Sequence, residues 1–155
     1  MGKTLVLGIG NTLLSDEGVG VHVVNALREQ SSPHDIEFMD GGTLSFTLAD
    51  PIQSFEQLIV IDASEIGQPP GSIEVFENES MDHFVSTGNK KSVHEVSLVD
   101  VMSIALLSGK LPTRRALIGI QPLSIDWGDK PTQAVSDAIP AACRQVETLI
   151  ARWQA

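Results

Sequence analysis

The sequence holds a single cysteine, Cys143, in 155 residues. One thiol can close no intramolecular disulfide and can build no thiolate metal cluster. Positive charge is also scarce. Lys and Arg total 10 against 20 Asp and Glu, a formal net charge of −10. That balance opposes phosphate backbones and anionic membrane surfaces, so neither nucleic acid nor a membrane is expected as a partner. It fits a solvated acidic surface, a partner with a basic segment, or a metal cation. No apolar run is long enough for a signal peptide or a membrane span: behind Met1-Gly2-Lys3 stands only Thr4-Leu5-Val6-Leu7. Gly2 resembles the start of a myristoylation site, but Leu5-Val6-Leu7 reads as a buried strand. The expected location is therefore the cytoplasm. Repeats, low-complexity tracts and linkers are missing too, which leaves one domain over residues 1–155. No Gly-x-Ser-x-Gly elbow is present for a serine hydrolase, and no His-Glu-x-x-His helix for a zinc peptidase.

What is present is enough apolar material for a core, at 42% of the residues. Apolar runs alternate with helical periodicity, which predicts an α/β fold: a mostly parallel twisted sheet of roughly five strands, flanked by helices on both faces. The strands are expected at Lys3 to Gly8, at Ile36 to Met39, at Leu58-Ile59-Val60-Ile61, at Ser72 to Glu77 and at Ala116 to Ile120. The third is apolar throughout, as in a strand covered on both faces. The fourth alternates apolar and charged residues and reads as a half-exposed edge. Between them, Val19, Val23 and Leu27 recur at helical spacing behind Ser15, a candidate N-cap. Ser97 and Asp100 form a capping-box-like pair ahead of Val101, Ile104, Ala105 and Ser108, and Gly109 stops that helix. Ile139, Ala142, Cys143, Val146, Leu149, Ile150 and Trp153 line one face of a final helix, with Pro140 in its first turn or at a kink.

Ligands of open α/β sheets bind beyond the carboxyl ends of the strands. Four segments follow apolar runs there. Gly8-Ile9-Gly10-Asn11 begins like a dinucleotide fingerprint, but Leu13 stands where the third glycine belongs. Asp16 and Glu17 then occupy the helix entrance, where they repel a phosphate and attract a cation, or complement the helix dipole. Asp40-Gly41-Gly42-Thr43 is either an Asp-Gly turn or a carboxylate beside a backbone free to approach a ligand. Asp62 ends the most apolar run, and an ionised carboxylate at the edge of a dry core needs N–H groups, a base or a metal. His94, in Ser92-Val93-His94-Glu95, precedes the Ser97 helix, as a ligand or as a surface histidine. Glu17, Asp62 and His94 together offer two carboxylates and an imidazole, a set suited to a borderline divalent cation with open positions. His22 shares a face with Asn25 and Glu29 and reads as solvent-exposed, and His34 and His83 read as incidental residues of polar loops. Cys143 reads as packing. Lys90-Lys91 and Arg114-Arg115 read as solvated loop residues.

The ordered set Gly8-Ile9-Gly10-Asn11, Asp16-Glu17-Gly18-Val19-Gly20, Asp40-Gly41-Gly42-Thr43, Asp62-Ala63, His94-Glu95 and Gly119-Ile120-Gln121-Pro122 resembles the nickel–iron hydrogenase maturation endopeptidases over nearly the whole chain. The resemblance implies an α/β sheet flanked by helices and a metal site at Glu17, Asp62 and His94. It also implies a functional acidic residue at Asp40. The implied reaction removes a C-terminal extension from the hydrogenase large-subunit precursor after nickel insertion. The substrate's nickel then serves for recognition, and other divalent cations can substitute. Asp40 or Asp16 is a candidate general base, and metal activation of the water is the alternative. The segment Ser124 to Thr132, with Trp127, is a candidate substrate contact. Two rival functions are a non-catalytic nickel-binding maturation chaperone and a nucleotide-binding oxidoreductase or transferase.

Overall fold

The structure is a computed structural model and describes residues 3–30, 35–43, 45–87 and 97–154. The elements run β1 (Thr4–Ile9), α1 (Val19–Arg28), β2 (Ile36–Gly42), α2 (Ala49–Gln53), β3 (Gln57–Ala63), β4 (Ile73–Glu77), α3 (Glu79–Thr87), α4 (Leu98–Leu107), β5 (Arg114–Ile120) and α5 (Gln133–Gln154). The strands make a sheet in the order β2-β1-β3-β5-β4. β1, β2, β3 and β5 are parallel, and β4 joins β5 antiparallel at the edge. Every residue of β4 is half-buried, as expected of a half-exposed edge strand.

Strand alternation sends side chains to two layers. Val6, Ile59, Ile61, Ile118 and Ile120 pack with α1 and α5 on one face. Leu5, Leu7, Leu58, Val60 and Leu117 pack with α2, α3 and α4 on the other. Because β1, β3 and β5 bury both faces over their central residues, those stretches are apolar without a polar alternate, and the polar residues stand at the strand ends. The α5 stripe is buried as expected, with Ile139 half-exposed at its margin. Pro140 is not in the first turn: it is the eighth residue of a 22-residue helix, so Ser136 lacks its usual i+4 donor.

Other expectations are corrected. Ser15 does not cap α1. It has φ 52° and its hydroxyl donates to the Asp126 carbonyl at 2.8 Å, while Gly18 occupies the cap position. The Ser97 box is present, with the Ser97 N–H donating to Asp100 Oδ2 at 3.0 Å. β2 continues past Met39 through Gly42, because its ladder with β1 extends to the Gly8–Asp40 and Ile9–Gly42 pairs. α2 and α3 are unexpected: α2 has only 5 residues, and α3, 9 residues long, packs Met81, Phe84 and Val85 at helical spacing into the second layer. His83 therefore sits exposed on a helix, not in a loop. Arg114 and Arg115 belong to β5. Arg115 is ion-paired with Asp82 and donates to the Pro112 carbonyl, and Arg114 donates to the Trp153 carbonyl.

Candidate active site

The carboxyl ends of four parallel strands form one edge, and the sequence-flagged acidic groups collect there. Close helix packing makes this possible. Gly20 lies one turn beyond Glu17, and a Cβ placed on it would stand 2.1 Å from the Ile61 carbonyl oxygen. A Cβ on Gly8 would stand 2.3 Å from the Gly20 carbonyl oxygen. Two facing glycines thus seat α1 directly on β1 and β3, which brings Glu17 to the same edge as Asp62. Both Glu17 and Asp62 are half-buried.

Register then separates the groups. Asp40 pairs with Gly8, Gly8 with Ile61, and Ile61 with Ile118. At about 4.8 Å per strand, Asp40 and the Ile61–Asp62 step lie about 10 Å apart across β1. Asp62 is in step with Leu58 and Val60, which face the α2 and α4 layer. Asp40 is in step with Ile36 and Phe38, which face the α1 and α5 layer. Asp40 is exposed, and its Oδ1 accepts the Gly42 N–H at 2.8 Å. The left-handed φ of 52° at Gly42 closes that turn.

Asp16 behaves differently from Asp40. It is fully buried, and its carboxylate accepts the N–H groups of Leu123 (2.9 Å), Ser124 (3.0 Å) and Thr132 (2.6 Å) and the Thr132 hydroxyl. Burial raises the pKa of this carboxyl, but the hydrogen bonds from Ser124, Leu123 and Thr132 outweigh it and hold the group below its ordinary value. An ionised carboxylate with its lone pairs filled has no room for a reacting water, so the geometry gives Asp16 a clamping role. The clamp joins two loops. Ser15 N–H donates to the Gly128 carbonyl at 2.9 Å, Gly128 N–H to the Leu13 carbonyl at 3.0 Å, and Asp16 N–H to the Ser124 carbonyl at 3.1 Å. Sequence reasoning had no access to this role, because every donor comes from a segment more than a hundred residues away in the chain.

Gln121, part of the Gly119-Ile120-Gln121-Pro122 motif, takes a positioning role that the sequence does not specify. Its side chain accepts the Ile66 N–H at 2.8 Å and donates to the Glu65 carboxylate, tying the chain beyond β5 to the chain beyond β3. His22 is half-buried, not solvated, and its Nε2 is shielded with no hydrogen-bond partner among the described residues. His94, Lys90, Lys91 and His34 lie outside the described residues. Among the described residues, no group of three His, Cys, Asp or Glu is arranged to hold a metal ion. The Gly8-x-Gly10 turn is filled by protein. Gly10 has φ 133°, and a Cβ there would meet the Glu17 carbonyl oxygen at 1.9 Å, so packing against the Glu17 turn by itself requires this glycine.

Comparison with known proteins agrees with this arrangement. A family model described as hydrogenase maturation protease matches residues 21–149. The hydrogenase expression/formation protein HupD of Rhizobium leguminosarum bv. viciae is 39% identical over 154 residues, covering 97% of this chain and 75% of that protein. The hydrogenase 2 maturation protease of Escherichia coli K12 is 34% identical over 146 residues, covering 93% and 88%. The solved hydrogenase maturating endopeptidase HybD from E. coli superposes with a TM-score of 0.89 at 32% identity, covering 97% of this chain and 93% of that one. These relatives place the chain among hydrolases of peptide bonds. The chain belongs to the hydrogenase maturation protease family. The chaperone and oxidoreductase readings give way to that assignment.

Proposed function

We propose that this endopeptidase acts in the cytoplasm on the large-subunit precursor of a nickel–iron hydrogenase and removes its C-terminal extension once nickel is in place. The observation that supports this most is the placement of Asp62. It ends a strand buried on both faces and is directed toward the layer of α4, whose N-terminus directly follows the segment that carries His94. Glu17 reaches the same edge through the Gly20 contact. Two carboxylates and an imidazole are the donor set for a borderline divalent cation that arrives partly coordinated by its own protein. Such shared coordination tests for loading and positions the peptide in one event.

Asp40 is assigned as the general base, which makes the enzyme aspartyl in type. Asp40 and the Asp62 strand flank β1 at a spacing of about 10 Å, so a substrate chain laid over the end of β1 spans from the metal-reading groups to the base. Asp40 would take a proton from water as the water attacks the scissile carbonyl, and would return it to the leaving amine. The test is to incubate the enzyme with nickel-loaded and nickel-free precursor and follow the precursor mass. The loaded form is expected to lose a C-terminal peptide and the empty form to stay intact. Loss from neither form overturns the peptidase assignment for this precursor, and equal loss from both overturns nickel sensing. Glu17→Gln, Asp62→Asn and His94→Ala should each weaken nickel affinity and processing without loss of the fold. Unchanged affinity in all three would reject the ligand set.

A further inference from the structure

Among the described residues, seven large hydrophobic side chains are exposed: Leu13, Phe46, Leu106, Leu107, Leu123, Ile125 and Trp127. Their distribution is uneven. Five follow the carboxyl ends of parallel strands: Leu13 after β1, Phe46 after β2, and Leu123, Ile125 and Trp127 after β5. Leu106 and Leu107 end α4, which leads into the opposite edge of the sheet. Exposed apolar side chains scattered singly are ordinary, but a concentration at one edge marks a contact surface.

This surface is built and held. Leu13 and the Leu123–Trp127 segment belong to the two loops joined by the Leu14–Gly128 bridge and by the ladder of backbone hydrogen bonds from Ser15 and Asp16. The buried Asp16 carboxylate anchors both ends of the segment, at Leu123–Ser124 and at Thr132. Gly128 packs where a Cβ would stand 2.7 Å from the Ser15 hydroxyl. The backbone of the segment is anchored at both ends, and Trp127 stands 82% exposed between the anchors. The same Ser15–Gly18 turn carries Glu17, so the surface is fixed relative to the candidate metal-reading group. Asp126, Asp129 and Lys130 lie exposed within it, on a chain of net charge −10.

We propose that Leu13, Leu123, Ile125 and Trp127 form the docking surface for a precursor segment that carries apolar side chains flanked by Lys or Arg. This rests on the peptidase reading given above. A substrate chain lying across the strand ends must pass the loop that bears Glu17, and so meets this surface next. The net charge of −10, with two aspartates against one lysine in the segment itself, attracts a basic flank and disfavours a second copy of the same acidic chain. Docking of this kind supplies affinity and register at a distance from the scissile bond.

The test measures steady-state cleavage of the nickel-loaded precursor by the full chain, together with Trp127 emission. Trp127→Ala combined with Leu123→Ser is expected to raise KM at least tenfold, with the loss falling on KM. Leu107→Ala, on α4, should leave KM within twofold. Raising salt should raise the wild-type KM, because the basic flank is screened. Emission from Trp127, taken as the difference between wild type and Trp127→Phe, should shift to shorter wavelength when precursor is added. Retained emission from buried Trp153 reports an intact fold in each variant. A double variant that is folded and has an unchanged KM overturns the docking surface and leaves the peptidase reading standing. Binding with the emission shift but no cleavage does the reverse. A wild-type dimer that Trp127→Ala converts to monomer assigns the surface to a second copy and overturns the proposal.

Discussion

The Thr132 backbone N–H donates to the Asp16 carboxylate at 2.6 Å, across 116 positions of sequence. Together with the Leu123 and Ser124 N–H groups, it makes Asp16 the point at which the β1 loop and the chain beyond β5 become one unit. Asp16→Asn replaces one acceptor oxygen with an NH2 group that faces donors. Leaving buried donors unsatisfied costs about 2–4 kcal/mol here. Thermal unfolding should then shift down by roughly 5–15 °C for a chain of this size. A variant that melts with the wild type would show that the clamp contributes nothing to the fold.

The seat of α1 gives a second prediction. Gly20→Ala would place a methyl group 2.1 Å from the Ile61 carbonyl oxygen, a backbone atom that cannot rotate away. The helix must lift off β3, at about 3 kcal/mol or more. Gly67 has φ 70° with nothing within 4 Å of an added Cβ, so Gly67→Ala should cost only about 1 kcal/mol of backbone strain. Urea midpoints of the two variants test the contrast. Equal midpoints would mean that the α1 packing is adjustable.

The fold was legible wherever a local pattern carried it. β1, β3 and β5 announce themselves because burial on both faces demands unbroken apolar runs. β4 does so because an edge strand alternates, and α5 because one face of a long helix must be apolar. Asp40 and Asp62 could be singled out because a carboxylate after an apolar run is conspicuous in any register. The clamping role of Asp16 was not legible, since its donors come from Leu123 to Thr132 and are set by tertiary approach. Ser15 looked like a cap for the same reason: its hydroxyl finds Asp126, not a helical N–H. Arg115 looked solvated because its partner, Asp82, is 33 residues away in the chain and reaches it only through the packing of α3 on β5.

Cys143 offers a probe of the core. Burial pushes its thiol above the ordinary value, the Glu147 carboxylate adds to that shift, and Arg144 opposes it. A raised pKa means that the folded protein holds the thiol proton more tightly than the unfolded chain, so at pH 8 less thiolate exists than on a free cysteine. With the side chain only 6% exposed, access is restricted as well. A disulfide reagent at pH 8 should label the native protein at least a hundredfold more slowly than the protein in denaturant. Labelling at the denatured rate would place Cys143 outside the α5 core stripe.

Asp40 gives the sharpest functional test, because its environment allows a nearly isosteric change. Its Oδ1 accepts the Gly42 N–H, and an asparagine can keep that bond with its own Oδ1. The side chain is exposed, so removing its charge should change stability by no more than about 0.5 kcal/mol. An amide cannot take the proton from an attacking water, however, and loss of a general base lowers kcat by about 10²–10⁴. Asp40→Asn should therefore bind nickel-loaded precursor with wild-type affinity and cleave it at least a hundredfold more slowly. Asp16→Asn should differ in kind, losing stability first and losing turnover only as the fold loosens. If Asp40→Asn turns over at the wild-type rate while Asp16→Asn is folded and inactive, the two roles must be exchanged.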